Sequence, residues 1–378
     1  MYITIFVVSL IVVVMFHEFG HYASAKLFGM KVERFFLGFG PTLWSFRRGE
    51  TEYGVKAIPA GGFVKIVGMS AFERVDPDDA GRTFHEQAAW KRAIVLGAGS
   101  ATHFVVAAGL VFAALAFVGA PGVSSTVERV VAGSPADAAG LRPGDRIVAI
   151  DGQSTDDFDA VREAVGERGG QTVIVTVRRG GAVLRLPVTI ATRSPDGLGQ
   201  GFLGVGPAAV ARRLGPGEAL KETFVGELSV VRLVDLTVDS LGQVFSAEGL
   251  AAFFSEVGRP GPRSPDGPIS LVGAGQIIDA LGRRGDVFAV LAIIAQLNIV
   301  LGTLNLLPLP PLDGGHLAVL ATEESVNAVR RWRGRPGNWR LHPSVLMPLA
   351  LAVILLFVVL SLTALYVDIV KPASGLLQ

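Results

Sequence analysis

The stretch His17-Glu18-Phe19-Gly20-His21 follows an almost unbroken run of Ile, Val, Leu, Phe and Met at residues 2–16. On a helix, histidines at positions i and i+4 share one face, where both imidazoles can bind one zinc ion. The glutamate between them is then placed to act as a general base toward water. Ionisable groups inside an apolar span are expensive and are therefore candidates for function. The alternative is a helix end with two solvated histidines.

The composition predicts a membrane protein. Half of the 378 residues are hydrophobic and only 18% are charged. Four stretches have the roughly 20 residues that span a bilayer core, at residues 2–26, 93–119, 287–307 and 345–367. The first lacks the basic start and small-residue cleavage site of a signal peptide, so we expect it to be retained. The absence of cysteine excludes disulfides and a thiol nucleophile, and no basic stripe indicates a nucleic-acid partner.

Basic residues predict the orientation of these spans. Lys and Arg accumulate in residues 26–92 and again in residues 330–340. The positive-inside rule places these two loops in the cytoplasm, and both termini and residues 120–286 outside it. Because the two histidines close the first span, we expect the site to lie toward the cytoplasmic side.

A second motif follows the third span. The run NLLPLPPLDGGH at residues 305–316 places three prolines and two glycines around Asp313. Non-helical backbone at membrane depth is tolerated where it lines a wet cavity. Asp313 is therefore predicted as the third zinc ligand, which leaves the fourth position for water. The alternative is that Asp313 only caps a helix.

HEFGH in the first span together with NLLPLPPLDGGH after the third resembles the site-2 protease family of intramembrane zinc metalloproteases. Within it, the single insert resembles that of the bacterial regulator-of-sigma-E protease group, over essentially the whole chain. The resemblance implies that His17, His21 and Asp313 hold one Zn²⁺ and that Glu18 is catalytic. It implies an endopeptidase of the bacterial inner membrane acting on single-pass membrane proteins, such as anti-sigma factors after a first cut. Remnant signal peptides are a second substrate class.

Two rival functions differ in class. One is a non-catalytic membrane scaffold with a PDZ domain and a structural metal, which requires a closed four-ligand site. The other is a transporter, although the spans show no internal repeat.

Residues 54–68, GVKAIPAGGFVKIVG, contain two β-prone runs around a Pro/Gly turn and predict a hairpin. The resemblance implies that it re-enters the membrane, where an exposed edge can bind an extended substrate by strand addition. An ordinary cytoplasmic hairpin is the alternative. The candidate substrate-binding residues are Gly61, Gly62, Phe63, Asn305 and Pro308. Asn305 is expected to hold the substrate backbone or the oxyanion.

The second span carries small residues at 97–102 that permit close helix packing. Members of the family commonly carry Gly-Pro and Asn here, and this chain has Ala98 and His103 instead. His103 is expected either to support the zinc site or to be a packed, hydrogen-bonded histidine. His316 is a candidate support for Asp313, and His85 and His342 are expected to be solvated.

Residues 132–147, AGSPADAAGLRPGDRI, followed by IDG at 150–152, are similar to the central stretch of PDZ domains. A helix at 156–167 and strands at 172–178 and 183–190 fit that fold. The loop Phe202-Leu203-Gly204-Val205 resembles one whose amides capture a peptide C-terminus, or is simply a closing strand. The domain is expected to filter substrates by size or to read a newly made C-terminus.

These patterns predict a multi-pass α-helical membrane protein with about four spans, a membrane-associated β-hairpin and an inserted extracytoplasmic α+β PDZ-like domain. The predicted segments are span 1 (1–26), a cytoplasmic loop (27–92), span 2 (93–119), the PDZ-like domain (120–210), amphipathic helices and linker (211–286), span 3 with the ligand motif (287–316), a cytoplasmic loop (317–344), span 4 (345–367) and an extracytoplasmic tail (368–378).

Overall fold

A computed structural model describes residues 1–69, 75–192, 201–259, 261, 263–264 and 267–377. The helices are α1 (Tyr2–Leu27), α2 (Ala89–Ala113), α3 (Pro135–Ala138), α4 (Phe158–Gly166), α5 (Pro216–Val225), α6 (Val230–Val244), α7 (Ala247–Gly258), α8 (Leu271–Arg283), α9 (Val287–Asn305), α10 (Asp313–Trp332) and α11 (Pro343–Val370). The strands are β1 (Val32–Arg48), β2 (Thr51–Ile66), β3 (Ala120–Val130), β4 (Arg146–Ile150), β5 (Gln153–Ser154), β6 (Thr172–Arg179), β7 (Ala182–Thr189) and β8 (Val205–Arg212).

The chain divides into two compact units. The first combines Met1–Ala116 with Gly215–Gln378, and the second is Phe117–Leu214. Among the residues that the structure describes, four helices have the length and hydropathy to cross a membrane, and they overlap the four predicted stretches. They are Tyr2–Leu27, Ala89–Val118, Val287–Asn305 and Ser344–Val370.

The helix bundle of the first unit is held together by close approach at small residues. A Cβ added to Gly20 of α1 would lie 2.5 Å from the Ala98 carbonyl oxygen of α2. Glycine therefore sets the short distance between the two backbones at the level of the HExxH motif. Farther along α1, Phe6 is buried against Ile278 of α8 and Ile294 of α9. This packing fixes the motif-bearing helix at both its ends.

The small sheet between α1 and α2 differs from the predicted hairpin at residues 54–68. Residues 32–37 of β1 pair on one side with 62–66 and on the other with 52–55, and residues 42–48 fold back onto 51–56. The two β-prone runs therefore flank the first half of β1 rather than pairing with each other, and the hairpin prediction was wrong in its pairing. The chain turns at Gly49, while Gly38 and Gly61 have positive φ and bend the long strands.

Residues 62–66 form one edge of this sheet, and residues 42–48 form the other. Within the part of the chain that the structure describes, residues 62–66 have a strand partner on one side only. The outer side of such an edge strand is a template on which another extended chain can pair.

The second unit is an antiparallel sheet with a short and a longer helix. The strand order is β7-β6-β4-β3-β8, with β5 paired to β4. Its core contains Ile147, Val175 and Val188 from the sheet and Val161 from α4. The predicted helix and strands correspond to α4, β6 and β7, and Asp157 caps α4 by accepting a hydrogen bond from the Ala160 amide at 2.9 Å.

Two further segments differ from expectation. The helical spacing of apolar residues in 217–256 predicts one or two amphipathic helices, whereas the structure has α5, α6 and α7 here, each starting at a new cap or proline. The loop predicted at 317–344 is helical in its first half, because α10 begins at Asp313 and continues to Trp332. Arg92 near the start of α2 lies 3.6 Å from Glu323 of α10, which ties this helix to the bundle.

Candidate metal centre and peptide groove

Three predicted ligands come together. On α1, the Nε2 atoms of His17 and His21 lie 3.2 Å apart. Both face Oδ2 of Asp313 at the start of α10, at 3.4 Å and 3.3 Å. The three ligand atoms lie within 4.8 Å of one another. HExxH and the proline-rich motif therefore form one cluster, as the sequence predicts.

α2 orients the ring of His21. Its Nδ1 lies 2.7 Å from the Val95 carbonyl oxygen, which can only accept, so Nδ1 carries the proton and Nε2 presents a lone pair. A Cβ at Gly99 would lie 2.3 Å from His21 Nε2 and 2.7 Å from His17 Cε1. Glycine at this position makes room for both imidazoles.

The backbone around Asp313 is equally crowded. A Cβ at Gly314 would lie 2.2 Å from the Leu306 carbonyl oxygen, and one at Gly315 would lie 2.5 Å from the Pro310 nitrogen. The glycine pair therefore allows the proline-rich segment to fold back on the first turn of α10. That fold places the aspartate opposite the histidines.

The cluster fits a cation. Asp313 Oδ2 is buried and has no hydrogen-bond donor, although an aspartate oxygen in such a place normally has one. It faces the imidazole Nε2 atoms, so electron-pair donors converge and repel unless a positive charge lies between them. Two histidines and a carboxylate form a common open zinc site. Among the described residues, the cluster consists of His17, His21 and Asp313, and no fourth His, Cys, Asp or Glu joins it.

Glu18 lies between the metal-type cluster and the edge strand. A Cβ at Gly62 would lie 3.0 Å from Glu18 Cγ, and the Glu18 carboxylate is near the backbone N–H of Val64. A chain paired to residues 62–66 would therefore run past Glu18.

A groove of about 1000 Å³ lies along this strand. Phe63 and Ile66 form one wall, Pro310 and Pro311 a second, and residues at the start of α11, including Met347, a third. The lining combines these apolar side chains with polar ones, namely Lys65, His85, His316, Glu323, Arg340 and His342.

His85 differs from the solvated histidine that was expected. It is half-buried in the groove wall and its Nδ1 has no partner. Burial, together with the nearby Arg340 and Arg92, lowers the pKa of His85 to about 4. His85 is therefore neutral at physiological pH. His342 is exposed and caps α11 through Nδ1, as a solvated residue can.

The other predicted site residues lie at different distances from the cluster. Gly62 touches Glu18 and Phe63 lines the groove, while Gly61 packs near Phe39. Asn305 is half-buried at the end of α9, and Pro308 is exposed outside the groove lining.

In the second unit, the backbone of the candidate carboxylate-binding loop joins the fold. Phe202 pairs with Ala191, the Leu203 carbonyl accepts the Ala136 amide, and the Gly204 carbonyl accepts the Val131 amide. Val205 begins β8. These residues thus close the sheet, and their binding of a peptide carboxylate stays a prediction.

Sequence reasoning named His103 of α2 as a candidate but missed Val95 and Gly99 of the same helix. Val95, Gly99 and His103 follow one another at intervals of four and so share one helix face, which packs on His17 and His21. The small residues at 97–102 were the available signal, but which glycine would face the ligands depends on how α1 and α2 dock.

An HExxH helix completed by a distant aspartate, in a bundle of membrane-type helices, defines a membrane zinc metallopeptidase. The model of peptidase family M50 matches residues 5–347. The chain belongs to this family, and the resemblance to site-2 proteases is confirmed.

Relatives that are named zinc metalloproteases support this family assignment. The zinc metalloprotease Rip1 of Mycobacterium tuberculosis (strain H37Rv) is 36% identical over 401 aligned positions, covering 98% of this chain and 97% of the relative. Rip1 of Mycolicibacterium smegmatis is 34% identical over 413 positions, covering 98% of each. A crystal structure of the PDZ domain of an SdrC-like protein from Listeria monocytogenes is 21% identical, covers 22% of this chain and 87% of that chain, and has a TM-score of 0.21. That likeness is too slight to carry an argument.

Proposed function

We propose that the protein is an intramembrane zinc endopeptidase that hydrolyses the transmembrane segments of single-pass membrane proteins. The observation that carries the proposal is the position of Glu18, between a three-residue cluster of potential zinc ligands and an edge strand of the sheet. His17, His21 and Asp313 would hold one zinc ion. The chemistry that zinc supplies in such sites is polarisation of a carbonyl and acidification of a water.

The residues of the chain supply the remaining steps. The edge at residues 62–66 binds the substrate backbone in extended form, which exposes peptide bonds that a helix hides. Glu18 takes a proton from the attacking water and later returns it to the leaving amine. Asn305, Pro308 and Gly61 are proposed to guide the substrate, with the Asn305 amide holding its backbone or the oxyanion.

Glu18→Gln tests the chemistry. We expect this variant to bind zinc normally and to cleave about 10²–10⁴-fold more slowly, because the amide cannot accept the proton. The assay is cleavage of a reconstituted single-pass anti-sigma factor truncated on its extracytoplasmic side, with metal content measured on the same sample. Glu248→Gln, an exposed change in the first turn of α7, is the matched control. Normal cleavage by Glu18→Gln would instead favour a scaffold with a structural metal.

The substrates are proposed to be anti-sigma factors already shortened by a first protease, with remnant signal peptides as a second class. The inserted unit is proposed to act as an extracytoplasmic PDZ-like filter or reader. We expect the truncated anti-sigma factor to be cleaved and the full-length one to resist. Equal cleavage of both would contradict this filter.

The proposed location is a bacterial inner membrane, with both termini and the inserted unit outside and the zinc site toward the cytoplasm. Because the chain contains no cysteine, single cysteines can report the sidedness. Arg335→Cys should be labelled only from the cytoplasmic side and Asp156→Cys only from the outside. The reverse pattern would invert the proposed topology.

A further inference from the structure

The two histidine ligands are supported unequally. His21 has the Val95 carbonyl at its Nδ1. The Nδ1 of His17 is buried and has no hydrogen-bond partner. A histidine that binds metal through Nε2 almost always donates its Nδ1–H to an acceptor, which fixes the tautomer and the ring orientation. The ligand His17 therefore needs an acceptor.

The backbone carbonyl close to His17 is not a free hydrogen-bond acceptor. The Gly99 carbonyl is close to His17, but it already accepts a hydrogen bond from Thr102 Oγ1 at 2.7 Å. Gly99 also lies inside α2, so the same oxygen accepts the amide of residue 103 in the helical pattern. Both of its lone pairs are engaged.

The side chain of His103 lies beside that of His17. Its ring is buried, and its centroid is 5.1 Å from that of His17, at an interplanar angle of 40°. Its Nδ1 lies 3.4 Å from Oδ1 of Asn298 on α9. Packing holds this ring in place, because a Cβ at Gly302 would lie 3.0 Å from His103 Cβ.

Asn298 decides which nitrogen of His103 is protonated. The Asn298 Nδ2 donates to the Ile294 carbonyl at 2.8 Å, which leaves Oδ1 as the acceptor toward His103. His103 Nδ1 is then the donor, and the lone pair resides on Nε2. The residue beside the unpartnered His17 N–H thus offers an unused acceptor.

We propose that His103 is a positioning residue of the zinc site: with zinc bound, its Nε2 would accept the Nδ1–H of His17, which has no partner in this structure. The chain of contacts Asn298–His103–His17 would fix the ring of one ligand as Val95 fixes the other. This inference rests on the proposed zinc site, but it concerns metal binding and is tested without proteolysis.

The test measures zinc affinity of the full-length protein in detergent, by competition with a chromophoric chelator. We expect His103→Ala to weaken zinc binding by about 10–100-fold, the usual loss when the partner of a ligand histidine is removed. His103→Gln should retain most of the affinity, because its Oε1 can accept near the place of Nε2. The Co²⁺-substituted His103→Ala protein should show shifted d–d absorption bands, since the His17 ring is no longer fixed.

Val111→Ala is the matched control, since it removes a buried side chain from the same helix and should leave the zinc affinity unchanged. Wild-type affinity in His103→Ala, or equal losses in His103→Ala and His103→Gln, would overturn the proposal in favour of packing alone. If His103→Ala does not fold, Asn298→Ala replaces it. A fall in affinity there supports the relay, and wild-type affinity overturns it.

Discussion

Two buried carboxylates of this protein have opposite surroundings. Asp145 in the second unit is fully buried and accepts hydrogen bonds from Arg179 Nε at 2.6 Å, Arg179 Nη2 at 2.7 Å and the Arg142 amide at 2.9 Å. Asp313 is also largely buried, but its Oδ2 faces two imidazoles and has no donor. Buried charge is normally compensated by partners. The first arrangement is complete in itself, whereas the second is complete only with a cation.

The first unit also contains a buried carboxylate whose charge is compensated by hydrogen-bond donors. Asp368, near the end of α11, pairs with Arg263 and accepts the Ser270 and Gly273 amides at 2.7 Å and 3.0 Å. Buried carboxylates with several hydrogen-bond donors and one whose Oδ2 has none thus occur in the same chain. The difference between them is the number of donors already present.

The largest effect is expected at the incomplete carboxylate. Asp313→Asn should abolish proteolysis and weaken zinc binding beyond the roughly 10–100-fold typical of outer partners. Without metal, its thermal midpoint should not fall, because the variant removes an uncompensated charge. Asp368→Asn is the contrasting variant, with normal zinc affinity and a lowered midpoint. If both variants lost stability alike, the distinction between the two carboxylates would collapse.

Next in size is the effect of filling the space beside the ligands. Gly99→Ala should weaken zinc binding because its Cβ would overlap His21 Nε2. Gly97→Ala, two residues away with nothing within 4 Å of its Cβ, should bind zinc normally and stabilise α2 by roughly 0.5–1 kcal/mol. Chelator competition on both proteins measures the difference. Equal affinities would show that the ligand rings have more freedom than the packing indicates.

Removing the carboxylate of Asp145 should lower the stability of the second unit without changing zinc binding. Asp145→Ala leaves the Arg142 amide and the Arg179 guanidinium without their acceptor. We expect a loss of about 3 kcal/mol, at the high end for single substitutions. Hydrogen exchange of the full-length protein should show faster opening of β4 and β6 with no change in zinc content. A reduced zinc content would link the two carboxylates.

The smallest expected effect is a loss of stability of the second unit at low pH. Hydrogen bonds from Arg179 hold the pKa of Asp145 below its ordinary value of 3.8. The ionised form is thus favoured in the folded state, so its contribution is present above that value and is lost as the pH falls through the lowered one. Protection of β6 against exchange should decline below about pH 3.8, and Asp145→Asn should lack this step. A decline that starts near pH 6 would point to another group.

The sequence predicts the candidate metal ligands, but it does not predict the strand pairing and helix contacts around them. His17, Glu18, His21 and Asp313 could be predicted because ligand type and helical spacing are local properties. The pairing of residues 54–68 could not, because glycines at 38 and 61 bend long strands and a central segment inserts between the two runs. The contacts of Val95 and Gly99 with the histidines depend on how α1 docks against α2, which no local pattern contains.

The edge strand beside Glu18 also has a consequence for substrate length. A paired substrate segment as long as residues 62–66 has five residues, and each of the four steps between them would lengthen from a helical rise of roughly 1.5 Å to an extended rise of roughly 3.3 Å. The same residues then span about 7 Å more. A transmembrane helix cannot gain that length while both its ends are held by folded domains. For the proposed substrates, slack released when one end is freed would then be a physical requirement for cleavage.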